Sequence, residues 1–214
     1  MKAKKKTKAK QYLKEKFESV QFTTPAFTLS YPTLDKSKQY VENGVPKGEP
    51  QFSIEMLFEQ GSKALKKVKA QITKAARNGF GDAIDNDDFE IDWPVFDGDE
   101  KQNAIGYEGN EYIRAKNQKK PVLLTRDKQK TDDASIFYGG CVCDAVINAR
   151  AYQVGDKCGI ALYVQCVRFL EDGTPFGGHV NVDEAFPDME DLDEDSGDDE
   201  DEENSDEDGD DSWI

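Results

Sequence analysis

Tyr112, Arg114 and Lys116 alternate along a stretch whose intervening positions are Ile113 and Ala115. On an extended strand, neighbouring side chains point to opposite faces. One face here therefore carries a ring and two cations, and the other is apolar. A ring is a π surface on which a flat base can stack, worth about 1–3 kcal/mol per base whatever the base. An ammonium or guanidinium group pairs with a phosphate. A face that alternates the two suits a flexible polyanion with a flat heterocycle between successive charges, which is single-stranded nucleic acid. Lys119, Lys120, Arg126, Lys128 and Lys130 extend the positive stretch downstream, and Arg150 with Tyr152 repeats the pairing elsewhere. An ordinary solvated β face could carry any one such pair; several on one chain favour the binding reading.

Other candidate chemistries are weaker. Cys141 and Cys143 stand two apart, with Cys158 and Cys166 further on. Zinc knuckles present two cysteines from a tight turn with two residues between them. A C-x-C inside an apolar strand lacks that turn and reads as buried free thiols. The acids Asp85, Asp87, Asp88, Glu90 and Asp92 miss the calcium-loop pattern, with Phe89 and Glu90 at positions that call for an oxygen ligand and a glycine. They read as a solvated loop, with a two-metal nuclease centre as the weaker alternative. His179 is the one histidine and has no nucleophile or carboxylate constellation around it in the sequence. Neither a phosphate-binding glycine loop nor a nucleophile elbow is present. No cofactor, no metal and no enzymatic activity are expected.

These residues need elements to position them. Pro25 and Pro32 mark edges or bends in a first strand region over 17–34, and Gly44–Pro50 reads as a loop. Phe52, Ile54, Met56 and Phe58 alternate with Ser53, Glu55 and Leu57, a strand with one buried face. Leu65, Val68, Ile72 and Ala75/Ala76 recur at helical spacing. They predict a helix over 61–77, with Ser62 as N-cap and Gly79 as stop. Residues 81–103 read as an acidic loop. Short strands are expected at 111–116 and 121–125. Cys141–Tyr152 is the clearest strand, with a small apolar face of Cys141, Cys143, Ala145, Ile147, Ala149 and Ala151. Residues 160–166 form another core strand, and Asp172-Gly173 is a hairpin-type turn signal. Strands, then a helix, then more strands favour an antiparallel barrel or sandwich over a parallel sheet.

Charge divides the chain. Residues 188–214 hold 17 acidic groups and no basic one, then end on Trp213 and Ile214. Removing them takes the net charge from −16 to about +1. Residues 1–16 hold eight lysines and one acid. Three segments follow: a lysine-rich arm over 1–16, flexible or frayed-helical; a folded domain over 17–187; and a disordered acidic tail over 188–214 with an apolar tip. As a flexible coil the tail spans roughly 30 Å, enough to reach a groove built for nucleic acid. No apolar run approaches the roughly 20 residues of a membrane span, and the lysine-rich start lacks a signal peptide's apolar stretch. Four cysteines without a secretory signal suggest a reducing cytoplasm.

The chain resembles a family of phage-encoded single-stranded DNA-binding proteins with an OB fold. The resemblance spans 17–187. It rests on Leu29-Ser30-Tyr31-Pro32, Phe52–Phe58 leading into the helix, Pro94-Val95-Phe96-Asp97-Gly98-Asp99, and Gly106-Tyr107 with Tyr112–Lys120. Phe137-Tyr138-Gly139-Gly140-Cys141, Gly159–Val167 and Asp172-Gly173-Thr174-Pro175-Phe176-Gly177-Gly178 complete it. It implies a mainly β protein, a five-stranded OB barrel with extensions and one main helix, that coats single-stranded DNA in replication, recombination or repair. It places the chain in the host cytoplasm, with no membrane partner. The tail resembles those of other replication single-strand binders. Asp210, Asp211, Trp213 and Ile214 are then the expected contact to a polymerase or primase, and homo-oligomers are conceivable. The expected nucleic-acid contacts are Tyr31, Tyr107, Tyr112, Arg114, Lys116, Lys119, Lys120, Arg126, Lys128, Tyr138, Arg150 and Tyr152. The competing reading is an acidic chaperone or DNA mimic that sequesters basic proteins, which explains the tail but not the ring-and-cation faces.

Overall fold

A computed structural model of the chain describes residues 10–101 and 104–177. Residues 1–177 form one structural unit and 178–214 a second. The second lies outside the described residues. With it lie His179, the acidic tail and its tip residues Asp210, Asp211, Trp213 and Ile214.

The first unit is an eight-stranded sheet with one main helix. Its strands are β1 (Val20–Thr23), β2 (Phe27–Glu42), β3 (Val45–Glu59), β4 (Val95–Asp97), β5 (Asn110–Asn117), β6 (Val122–Leu124), β7 (Val142–Val154) and β8 (Lys157–Glu171), with α1 (Lys63–Phe80) between β3 and β4. The sheet order is β4-β5-β3-β2-β7-β8-β6, with β1 paired to β7. All pairings are antiparallel except β6 on β8. The sheet does not close by strand pairing. It curls until β5 meets β8, where the Asn117 side-chain amide donates to the Val164 carbonyl at 2.8 Å. An open, curled barrel of this kind is the OB architecture.

The alternation read from the sequence sets the core. Cys141, Cys143, Ala145, Ile147, Ala149 and Ala151 are all buried on β7. Ile54, Met56 and Phe58 on β3, Ile113 and Ala115 on β5, and Ile160, Leu162 and Val164 on β8 join them. α1 covers one end of the barrel with Leu65, Val68, Ile72, Ala75, Ala76 and Phe80. All four cysteines are free, and the Cys141 and Cys143 sulfurs lie 3.6 Å apart in the core.

Several expectations are corrected. The helix runs past Gly79 to Phe80 and stops at Gly81, whose φ of 62° an L side chain rarely adopts. Gly79 lies inside the helix because β7 leaves no room there: an added Cβ would stand 2.2 Å from that of Ala151. Ser62 caps the N-terminus as expected, its Oγ accepting from the Leu65 N–H at 3.1 Å. Residues 44–50 are not a loop. β2 and β3 continue as a two-stranded ribbon to the two-residue turn Asn43-Gly44, with φ of 51° and 78°. Two positive φ values in a two-residue hairpin turn are what Asn-Gly favours. Asp172-Gly173 makes no hairpin among the described residues. Instead the Tyr138 hydroxyl holds this segment, donating to Asp172 at 2.8 Å and accepting from the Gly173 N–H at 3.1 Å. The described end of the lysine arm is neither frayed nor helical. Gln153 Oε1 accepts from the Tyr12 and Leu13 N–H groups at 2.9 Å each, and Lys14 N–H donates to Gly79 O at 2.9 Å.

Candidate nucleic-acid interface

Where the sheet fails to close, it leaves a groove of about 530 Å³ between β5 and β8. Arg114 and Lys116 line it from β5, Tyr152 from the end of β7, and Ala161 and Tyr163 from β8. The segment before β4 supplies Trp93, and β4 supplies Phe96. That segment is stitched to β8, with Asp92 N–H donating to Cys158 O at 2.8 Å and Ile160 N–H to Asp92 O at 3.2 Å. Asp92 also accepts from the Tyr152 hydroxyl at 3.2 Å, so one short segment positions both Trp93 and Tyr152. Trp93, Phe96 and Tyr163 are each between 37% and 40% exposed. Partly exposed rings of this kind can take a stacked base.

Beside the groove a second cluster continues the surface. The Phe96 and Tyr112 rings stack 5.0 Å apart at 25°, and Tyr107 meets Tyr112 edge-on at 5.2 Å. Tyr31 lies 6.1 Å from Tyr107 and is 59% exposed. Its φ is 40°, in the left-handed region, at an irregularity in the β2–β3 ladder. A bulky residue held there stores strain of order 1–3 kcal/mol. Lys101 Nζ sits 4.1–4.9 Å from the Tyr31, Tyr107 and Tyr112 ring centres. Arg114 lies over Phe96 at 5.7 Å and Tyr112 at 6.0 Å.

A buried carboxylate organises both cations. Glu55 Oε1 accepts from Arg114 Nε at 2.8 Å and Nη2 at 2.6 Å, and Oε2 accepts from Lys101 at 2.7 Å and from the Tyr107 hydroxyl. Burial alone would raise the Glu55 pKa; the donors from Lys101, Tyr107 and Arg114 outweigh it and hold the carboxyl below its usual range. Burial and the Glu55 bond push the Tyr107 phenol far above its usual value. Partial desolvation in the groove, with Arg114 nearby, lowers the Lys116 ammonium.

The structure thus brings Tyr31, Tyr112, Arg114, Lys116 and Tyr152 to one continuous surface. Lys119 and Lys120 are exposed on the loop that leaves β5. Arg126 and Lys128 sit in the turn beyond β6 and do not line the groove. Three expected contacts have other employment. Tyr107 is 1% exposed and has no face for a base; its hydroxyl serves Glu55 and lies 2.8 Å from Ser30 Oγ. The Tyr138 hydroxyl is spent on the 172–173 segment. Arg150 shares a strand face with Tyr152, but its guanidinium packs over Phe17 at 5.3 Å. Trp93, Phe96, Tyr163, Lys101 and Glu55 were not among the expected residues. Among the described residues the acids of 85–92 do not converge into a group of three metal-ligating side chains, and Asp85 is bound by Arg77 at 2.8 and 2.9 Å.

An open barrel with rings and cations on its curled face belongs to an architecture that serves the binding of oligonucleotides and oligosaccharides in other proteins. Residues 20–197 match the family described as Enterobacter phage Enc34, ssDNA-binding protein, and the chain belongs to that family. Among solved structures, the single-stranded DNA-binding protein from bacteriophage Enc34 is 25% identical, with a TM-score of 0.57 over 77% of this chain and 89% of that one. The same protein in complex with ssDNA shares the fold at a TM-score of 0.58 and 23% identity, over 80% of this chain and 99% of that one. So does gp2.5, a single-stranded DNA-binding protein encoded by bacteriophage T7, at 0.51 and 15%, over 80% and 97%. A protein designated p50 from Acyrthosiphon pisum secondary endosymbiont phage 1 is 34% identical over 95 residues, 44% of this chain. The chain spans half the length of that curated relative.

Proposed function

We propose that this chain binds single-stranded DNA without strong sequence preference and serves DNA replication, recombination or repair. The observation that carries this reading is the groove itself: partly exposed rings of Trp93, Phe96 and Tyr163 beside Arg114 and Lys116, between β5 and β8 where the sheet does not close. Bases stack on the rings, and Lys116, Lys119 and Lys120 take phosphates, with Arg126 and Lys128 further along the strand's path. An OB fold occupies about 4–16 nucleotides. Every base has a π face, so the chemistry tolerates any sequence. Duplex DNA is destabilised because only the open form is bound, without an energy source.

The acidic tail is the second part of the proposal. Its 17 acidic groups mimic the charge of a DNA strand. It competes for the same cations and yields them when DNA arrives. Trp213 and Ile214 are then free to recruit a replication protein such as a polymerase or primase. Equilibrium titration of labelled ~30-nucleotide dT, mixed-sequence and duplex probes tests the first part. Similar tight binding to both single strands and much weaker duplex binding is expected; preference for the duplex overturns the reading.

A further inference from the structure

We propose that Glu55 is a positioning residue that makes the Tyr31–Tyr112–Phe96 patch a base-stacking subsite, by holding Lys101 and Arg114 against the rings and away from phosphates. This rests on the single-strand reading above and deepens it.

A carboxylate at the centre of a polyanion-binding face is out of place unless it does something the face needs. Glu55 is 8% exposed on its side chain and is filled by four donors, two of them from Arg114. Tyr107 has one hydroxyl proton. With that proton given to Glu55, its oxygen accepts from Ser30 Oγ at 2.8 Å, so the support beneath the carboxylate is complete. Each cation keeps one side for Glu55 and lies over rings on another. Glu55 offsets one of the two cation charges, and the nearby Glu100 carboxylate lowers the positive potential at Tyr112 further. By contrast, among the described residues no ion pair engages Lys116, Lys119 or Lys120. The surface therefore divides: unneutralised lysines track phosphates, and neutralised cations stiffen a ring patch for bases. The strained backbone of Tyr31, which turns its ring outward at this patch, is an independent sign of the same use.

The two kinds of contact differ in salt dependence. For single strands, log K falls with log[salt] by about 0.7 per phosphate neutralised, whereas stacking contributes little to the slope. Full-length wild type, Glu55→Gln and Lys101→Met are titrated with labelled ~30-nucleotide dT across a salt series, with thermal melts to confirm folding. In Glu55→Gln the freed cations reach phosphates. Its slope steepens by about 0.7 per freed cation, and its affinity extrapolated to 1 M salt falls roughly threefold to tenfold as the ring–cation contacts loosen. Lys101→Met, which leaves the Arg114–Glu55 pair in place, loses affinity by a similar factor at every salt concentration with an unchanged slope. An unchanged Glu55→Gln slope overturns the proposal, as does a Lys101→Met slope shallower by about 0.7. Should Glu55→Gln fail to fold, the Lys101→Met slope decides alone. Failure of wild type to bind dT at all overturns the single-strand reading itself, a result distinct from either.

Discussion

Trp93, Phe96 and Tyr163 are the rings by which the groove is expected to take bases. Alternation assigns a side chain to a face; it does not say whether that face is concave, covered or turned to another element. Tyr152 and Arg150 share a face of β7, yet one reaches the groove and the other packs on Phe17. Tyr107 is buried, and its hydroxyl is part of the Glu55 support. Glu55 carries the clearest pH signature. Its folded pKa is depressed. The stability it contributes is therefore present above the ordinary carboxylate range of about 4.3 and is lost as pH falls through the depressed folded value. Urea midpoints are expected to place Glu55→Gln about 1–3 kcal/mol below wild type at pH 7, with the gap closing as pH drops below 4. A gap that is constant with pH contradicts the ion-pair account. Tyr107→Phe removes only the hydroxyl and is expected to cost about 1–2 kcal/mol in the same assay.

At the scale of elements, the strongly periodic segments were legible. The Cys141–Tyr152 face, the 111–116 alternation and the helix around Leu65–Ala76 all appear where the sequence places them. Segments without periodicity hid the rest. Residues 81–103 read as an acidic loop, yet its stitching to β8 through Asp92 is what sets Trp93 in the groove. The Asn43-Gly44 turn was a signal available in the sequence; polar residues on both sides of it masked the ribbon, since neither face there is buried. Gly79 misleads for a related reason: a glycine near a helix end looks like a stop, while its cause here is a strand lying against the helix. Gly79→Ala tests this. Helix propensity alone favours alanine by about 1 kcal/mol. Overpacking against Ala151 is expected to win and to destabilise by about 1–3 kcal/mol in thermal or urea unfolding. A stabilised variant contradicts the contact.

For the whole molecule, charge is the organising quantity. A body of about +1 carries an attached segment of −17, which accounts for the overall −16. No helix among the described residues is long and apolar enough to cross a membrane. Truncation to residues 1–187 is expected to tighten dT binding by roughly tenfold or more near 0.05 M salt and by less than twofold near 0.5 M, where screening removes the competition. Equal affinity of both forms at low salt contradicts the competing tail. Single strands are expected to stack in the open groove between β5 and β8. The direct measurement is the affinity of Phe96→Ala/Tyr163→Ala for labelled ~30-nucleotide dT beside wild type, with melting temperatures recorded for both. Both rings are exposed, so the fold is expected to persist while affinity falls by about 2–6 kcal/mol, the loss of two stacked bases. Undiminished binding by a folded double variant would contradict the claim and place the DNA on another face.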